Sequence, residues 1–395
     1  MTEQVPGGTL PHAALGRAWL AARVAAEVVY LDHAACSRQS QQTQNAVTAY
    51  CRREAEIGGY EAEAEAAALL DRGRAAIGEL VGMAGSDVAF TTSASSALNG
   101  LLRYWPIEPG QEVGCAPGEY GPSLAAFESH GFRVRALPVD PLGRVDVDRL
   151  RRHLRDHRPA LVHLTHVPSH RGIEQPAGHV GDVCRSLDIP FIIDAAQALG
   201  QVALPVGADA VYGTSRKWLC GPRGVGFVAV GPRVAATLHV PEATDPHDTS
   251  ERGPVARLEP TEAHIGGRIG LCVAIDQWLD AAPEHVRDRL AALGRMIRAC
   301  LDDSTGWRTV EPLDEPTAAT TLLPPHGTNA AETQARLLAK HGILVALVPT
   351  SRAPGEMTEP VLRVSPHLDT SEADIDALAT ALSCRPREGP KYPAG

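Results

Sequence analysis

The chain has 395 residues, enough for a large and a small domain, each with its own core. An apolar share of 44% and a charged share of 21% are those of an ordinary globular protein, which excludes global disorder. A net charge of −10 argues against nucleic acid or an anionic membrane surface as partner, and no apolar run is long enough to cross a bilayer.

The first twenty residues lack a basic start followed by an apolar core, so no secretory signal is expected. A helix is expected over 13–28, then a short strand over 28–31 that turns through Asp32-His33-Ala34-Ala35. Residues 45–51 and 61–81 carry apolar residues at helical spacing and read as two helices. Gly58-Gly59-Tyr60 between them either lines a pocket or is a plain loop. Residues 88–92 read as a strand running into Ser93-Ala94-Ser95-Ser96 and a helix from Ala97. Small hydroxyl residues at a helix start suit a phosphate, and suit a simple N-cap equally well.

A further strand ends over 114–117, with Glu119-Tyr120 after it, and 160–165 is the next, followed by His166-Val167-Pro168-Ser169-His170-Arg171-Gly172. His163 and His166 fall on opposite faces of a strand, so no metal site is expected there. A helix over 176–188 and a strand over 189–194 complete a βαβ unit. Residues 233–260 read as an irregular excursion. Helices over 265–281 and 284–302 precede a smaller alternating set: strand 320–323, helix 331–341, strands 343–348 and 361–364, and helix 371–383. The eight cysteines (Cys36, Cys51, Cys115, Cys184, Cys220, Cys272, Cys300 and Cys384) are scattered with no C-x-x-C pair. They read as reduced thiols of a cytoplasmic protein, not as a disulfide framework or a zinc site.

The chemistry concentrates in 191–226. Phe191 to Asp194 is a wholly apolar run closing on a carboxylate, the pattern of a buried parallel strand. Ala210-Val211-Tyr212 is a second strand, running into Thr214-Ser215-Arg216-Lys217. Open α/β sheets bind ligands beyond the carboxyl ends of their strands, so Asp194 and Lys217, 23 residues apart, face one crevice. A lysine amine can hold pyridoxal phosphate as an imine while a carboxylate keeps its ring nitrogen protonated. Gln197, one helical turn on, can reach the cofactor's 3-hydroxyl, and Thr214 and Arg216 its phosphate. Partial burial and the neighbouring Arg216 would depress the pKa of Lys217, as a base at the substrate α-carbon requires. Arg363, charged among Val361, Leu362 and Val364, is suited to grip a carboxylate.

These motifs resemble the class V aminotransferase and cysteine desulfurase branch of the fold-type I pyridoxal phosphate enzymes. Within it the chain is similar to the hercynylcysteine sulfoxide lyases, the carbon–sulfur lyases of ergothioneine biosynthesis. The blocks behind the closer likeness include Tyr30-Leu31-Asp32-His33-Ala34-Ala35-Cys36-Ser37-Arg38-Gln39-Ser40, Gly58-Gly59-Tyr60, Pro117-Gly118-Glu119-Tyr120-Gly121-Pro122, Ser169-His170-Arg171-Gly172, Ser215-Arg216-Lys217-Trp218, Asp314-Glu315-Pro316 and Leu362-Arg363-Val364-Ser365-Pro366-His367.

The resemblance implies an α/β fold with a large mixed, mostly parallel seven-stranded-type sheet flanked by helices, plus a smaller C-terminal α/β domain. The large cofactor-binding domain would cover 28–265. The small domain would combine 266–385 with an N-terminal arm, 1–27, and 386–395 would be a disordered tail. Lys217 would carry the cofactor, Ala94 and Ser95 would meet its phosphate where the family usually has Gly-Thr-Thr, and Tyr120 would stack on its ring. Asp194, Gln197, Thr214 and Arg216 complete that set. Ser169, His170, Arg171 and Arg363 would serve the substrate, with Tyr60 and Trp218 offering ring faces to a trimethylammonium group. Relatives build such sites across a two-fold interface, so a homodimer is implied. Residues 259–264 match a segment that in relatives reaches the partner's phosphate, with Thr261-Glu262 in place of the usual Gly-Thr.

The implied reaction is β-elimination of hercynylcysteine sulfoxide to ergothioneine, by way of its sulfenic acid, with pyruvate and ammonia. Cysteine desulfurases carry a nucleophilic cysteine shortly before the carboxylate-binding arginine, and 348–357 holds none. A desulfurase would need Cys36 or Cys220 instead. An aminotransferase of the same family is the other enzymatic alternative. A non-catalytic protein on this fold would not need Asp194, Gln197 and Lys217 together.

Overall fold

The computed structural model describes residues 12–106, 108–239, 253–301 and 305–383; the tail expected over 386–395 lies outside them. Strand β1 (Val29–Tyr30) belongs to a small outer sheet. The next seven build the main sheet: β2 (Val88–Thr91), β3 (Glu112–Cys115), β4 (Arg133–Ala136), β5 (Leu161–Thr165), β6 (Phe191–Asp194), β7 (Ala210–Thr214) and β8 (Gly226–Val230). Their order is β2-β8-β7-β6-β5-β3-β4. Only β8 runs against the rest, antiparallel to β2 and β7, while the other neighbours are parallel.

The apolar character of β6 follows from its place. Phe191 and Ile193 pack into one buried cluster and Ile192 into another on the opposite face. A strand covered on both faces needs a continuous apolar run, not alternation. On one face lie helices α4 (Ala94–Tyr104) and α5 (Gly121–Ser129), with Leu98, Leu101 and Phe127 in the core. The other face is covered by α3 (Gly59–Val81), α6 (Val147–Asp156), α7 (Ala177–Ser186) and α9 (Ile265–Asp280), through Ile77, Leu150, Val180 and Ile269.

Several boundaries differ from expectation. Helix α1 (His12–Ala21) stops well short of residue 28, because Arg23 folds back to donate to the Trp19 carbonyl (2.8 Å) and lies over its ring. Helix α3 begins one residue after α2 (Gln41–Ile57), and the expected turn at Gly58-Gly59-Tyr60 is a one-residue joint at Gly58, φ +93°. The stretch 121–156 holds α5, β4 and α6, none of them expected. Strand β4 is an edge strand, Arg-Val-Arg-Ala, with largely exposed side chains and so no apolar run to reveal it.

The C-terminal part forms a second sheet from β9 (Arg308–Thr309), β10 (Thr320–Leu323), β12 (Ala346–Val348) and β13 (Val361–Val364), antiparallel in the order β12-β13-β10-β9. Strand β11 (Ile343–Leu344) pairs in parallel with β1. Helices α10 (Pro283–Leu301), α11 (Ala330–His341) and α12 (Glu372–Ser383) give this sheet its own core, with Leu293, Leu337, Leu362 and Leu378. A bridge from Asp32 to Ser365 ties the chain after β1 to the end of β13. Between the carboxyl edge of the main sheet and this second sheet lies a cavity of about 410 Å³.

Candidate active site

Parallel pairing sets the centre of the cavity. Thr165 and Asp194 close β5 and β6 as register partners, and Tyr212 of β7 pairs with Asp194. Asp194 is buried, and its Oδ1 accepts the Ala196 backbone N–H at 2.7 Å. Burial raises its pKa, opposed by Lys217 and by that backbone donor. Behind it runs a chain of buried polar groups. Tyr212 meets His163 Nε2 at 2.8 Å, and His163 Nδ1 meets Glu119 Oε2 at 3.0 Å. Glu119 Oε1 also accepts from Thr165 (2.5 Å) and from the Tyr120 backbone (2.8 Å). Burial opposes charge on His163, yet the Glu119 carboxylate raises its pKa, and the same contact holds Glu119 below its ordinary value. His163 thus links Glu119 to Tyr212 in one buried polar chain.

Lys217 follows β7 in a turn closed by Cys220 N–H on the Lys217 carbonyl (2.9 Å) and Gly221 N–H on the Ser215 carbonyl (3.0 Å). Gly200 backs this turn: its φ is +96°, and a Cβ there would lie 2.9 Å from the Trp218 carbonyl carbon. Lys217 lines the cavity, and its pKa falls from 10.5 to about 7. Burial is the main cause; Asp194 opposes it, and Arg216, Arg363 and Arg352 add to it. The expectation for Lys217 named burial and Arg216; burial is the larger of the two.

The N-terminus of α4 opens on the same cavity. Ser93 caps it, accepting from Ser96 N–H (3.0 Å), and Ala94 and Ser95 line the cavity with Thr214 and Arg216. Gly226 on β8 makes this possible, because a Cβ there would lie 2.8 Å from Ser93 backbone. Arg216 forms no ion pair with a described carboxylate. Free helix N–H groups, two hydroxyl residues and an unpaired guanidinium suit a phosphate.

On the other side, Arg363 projects from β13. It donates to the Ser169 carbonyl (2.5 Å) and to Asp32 Oδ1 (3.4 Å). Its buried Nε and the buried Ser169 hydroxyl have no partner among the described residues. Buried donors left without acceptors beside a cavity are suited to an anionic ligand. Asp32 was not foreseen as a site residue; burial raises its pKa and Arg363 opposes the rise.

Not every expected residue reaches the cavity. Gln197 does, with Nε2 donating to the Ala34 carbonyl and Oε1 accepting from the Trp218 indole, both at 2.9 Å. Trp218 is fully buried, its ring stacked on His367, so no ring face is left for a ligand. Tyr60, 82% exposed, stands at the start of α3, outside the cavity. His170 and Arg171 turn away from it as well, onto Glu356 at 3.1 and 2.7 Å. Tyr120 lines the cavity, and its hydroxyl accepts from Arg352 at 2.8 Å. Arg352, in the cysteine-free stretch 348–357, also lines the cavity, and no local motif marks it. Cys115, Glu119 and His163 lie close enough to share a metal ion, but His163 and Glu119 are bonded to each other and burial pushes the Cys115 thiol up.

Taken together, the groups fit pyridoxal phosphate: an amine whose pKa is brought down to about 7, a buried carboxylate that would hold the proton on the ring nitrogen, and a helix start suited to its phosphate.

The sequence profile of the class-V aminotransferase family matches residues 29–378. A Mycobacterium tuberculosis (strain CDC 1551 / Oshkosh) protein described as "Probable hercynylcysteine sulfoxide lyase" is 46% identical over 368 residues, 92% of each chain. Isopenicillin N epimerase of Streptomyces clavuligerus is 29% identical over 80% of this chain and 85% of its own. Among solved structures, a cysteine desulfurase from Escherichia coli superposes with a TM-score of 0.81 at 18% identity, over 93% of this chain and 97% of that one. The chain belongs to the class-V aminotransferase family, whose enzymes work with pyridoxal phosphate.

Proposed function

We propose that this chain is a carbon–sulfur lyase that cleaves hercynylcysteine sulfoxide by β-elimination. The observation that carries the reading is 46% identity across 92% of the chain to the mycobacterial relative of that description. The cavity supports it, because no cysteine is among its lining residues to accept a sulfur atom. Cys36 is half-buried outside the lining, and Cys220 is buried against His367.

When bound, pyridoxal phosphate draws electrons from the α-carbon of an attached amino acid. Lys217 takes the α-proton; a pKa near 7 leaves about half its amine neutral at that pH. Asp194, backed by Tyr212, His163 and Glu119, holds a proton at the ring nitrogen. Arg363 fixes the α-carboxylate with the donor edge that has no protein partner, and Ser169 adds its hydroxyl. The carbon–sulfur bond then breaks with its electron pair going to sulfur, which leaves as a sulfenate. The three-carbon fragment departs as an enamine, which water converts to pyruvate and ammonia. A sulfenate is a better leaving group than a thiolate, so no thiol nucleophile is needed. The enzyme acts as a homodimer in the cytoplasm on a small sulfur amino acid; no described helix is long and apolar enough to cross a membrane.

The test is pyruvate release from hercynylcysteine sulfoxide, S-methylcysteine sulfoxide and free cysteine by wild type and Lys217→Ala. Pyruvate from the first substrate, lost in the variant, is expected. Cofactor-loaded protein that releases pyruvate from none of them, or only alanine from cysteine, refutes the elimination.

A further inference from the structure

The cavity holds one cation more than the reaction above uses. Its lining carries Arg216, Lys217, Arg352 and Arg363 against two carboxylates, Asp32 and Asp194. Arg216 belongs to the phosphate cradle, Lys217 to the α-carbon and Arg363 to the α-carboxylate. Arg352 remains, and its bonded partner among the described residues is a neutral phenol, Tyr120 Oη at 2.8 Å, with the guanidinium 5.6 Å from the ring centroid. An arginine held this way keeps donors free for an anion.

Its position is built. The turn Thr350–Arg352 packs on Gly121, where a Cβ would lie 2.1 Å from the Ser351 carbonyl oxygen, and a Cβ on Gly355 would lie 2.7 Å from the Pro117 carbonyl oxygen. Beyond the turn, Glu356 is held by His170 and Arg171. These two residues thus reach the site indirectly, by anchoring the segment that carries Arg352. Ala346 pairs with Arg363 and Val348 with Val361, so the turn begins four residues along the chain from the strand partner of Arg363. Both arginines line the one cavity.

We infer that Arg352 is a specificity-determining residue that binds a second carboxylate, carried on the sulfur substituent of the substrate. The inference rests on the lyase reading, which supplies such a substituent: the histidine betaine half of hercynylcysteine sulfoxide ends in its own carboxylate. S-methylcysteine sulfoxide has the same α-carboxylate and the same sulfoxide and lacks the second anion.

The experiment compares cofactor-loaded wild type, Arg352→Gln and Arg352→Lys on both sulfoxides. In Arg352→Gln, kcat/KM for hercynylcysteine sulfoxide is expected to fall at least tenfold more than for S-methylcysteine sulfoxide, mainly through KM, with partial recovery in Arg352→Lys. N,N,N-trimethylhistidine should inhibit wild type competitively and its methyl ester should not; Arg352→Gln should lose the inhibition. Equal losses on both sulfoxides would overturn the inference and assign Arg352 to the shared sulfoxide or to Tyr120. Equal inhibition of wild type and variant by the betaine overturns it too. If wild type releases pyruvate from neither sulfoxide, the lyase reading has failed separately. Calorimetry with N,N,N-trimethylhistidine then decides: binding to wild type but not to Arg352→Gln supports the carboxylate site, and binding to both or to neither refutes it.

Discussion

The pKa of Lys217 can be measured through the capture of pyridoxal phosphate by cofactor-free protein. Only a neutral amine attacks the cofactor's aldehyde. A shift from 10.5 to about 7 makes the neutral fraction at pH 7 about 10³-fold larger than for a free lysine. Capture rates are measured from pH 5.5 to 10 beside Nα-acetyl-lysine, so that titration of the cofactor itself cancels in the ratio. The protein's rate should rise tenfold per unit below pH 7 and level off above about pH 8, while the acetyl-lysine rate keeps rising to pH 10. Two variants give the direction of the local fields. Asp194→Asn removes the charge that raises the lysine pKa and should move the break to lower pH; Arg216→Gln removes a cation and should move it higher. A protein curve rising in parallel with acetyl-lysine through pH 9 would refute burial as the dominant cause. A break that shifts the wrong way in either variant would refute the assigned charges.

Two further changes probe the supports of the site. Arg363→Lys keeps the charge but loses the fork that meets a carboxylate, so kcat/KM for both sulfoxides should fall by roughly 10–100-fold, a charge-assisted hydrogen bond being worth about 1.5–3 kcal/mol; an unchanged value would remove Arg363 from substrate binding. Gly200→Ala places a Cβ against Trp218 at a positive φ, costing roughly 1–3 kcal/mol. Calorimetry should show a lower Tm, and titration with the cofactor should show weaker retention because the turn carrying Lys217 is displaced; a wild-type Tm would refute the strain.

Lys217, Asp194 and Arg363 were legible because each lies at or in an apolar strand, and a charge closing such a run has few reasons to be there but chemistry. Ala94 and Ser95 were legible as a helix start, and their family position chose phosphate over a simple cap. The Trp218 ring is not free for a ligand, because an aromatic residue beside a motif says nothing about which way its ring turns. Only packing put the Trp218 indole on Gln197, and Tyr60 stands exposed at the start of α3. His163 could be excluded as half of a strand metal pair, but its bonds to Glu119 and Tyr212 span 44 and 49 residues and depend on strand register.

The sequence by itself determined the local grammar: apolar runs of strand length, each ending in a functional side chain, together with the likeness to a known family. The tertiary structure decided what long-range pairing alone controls. Placing β13 beside Asp32 gave Arg363 its partner, and packing the 350–352 turn on Tyr120, 232 residues away, aimed Arg352 at the cavity. Local preference is written in neighbours along the chain, whereas a side chain's direction and free donors are settled by whichever distant groups fold against it.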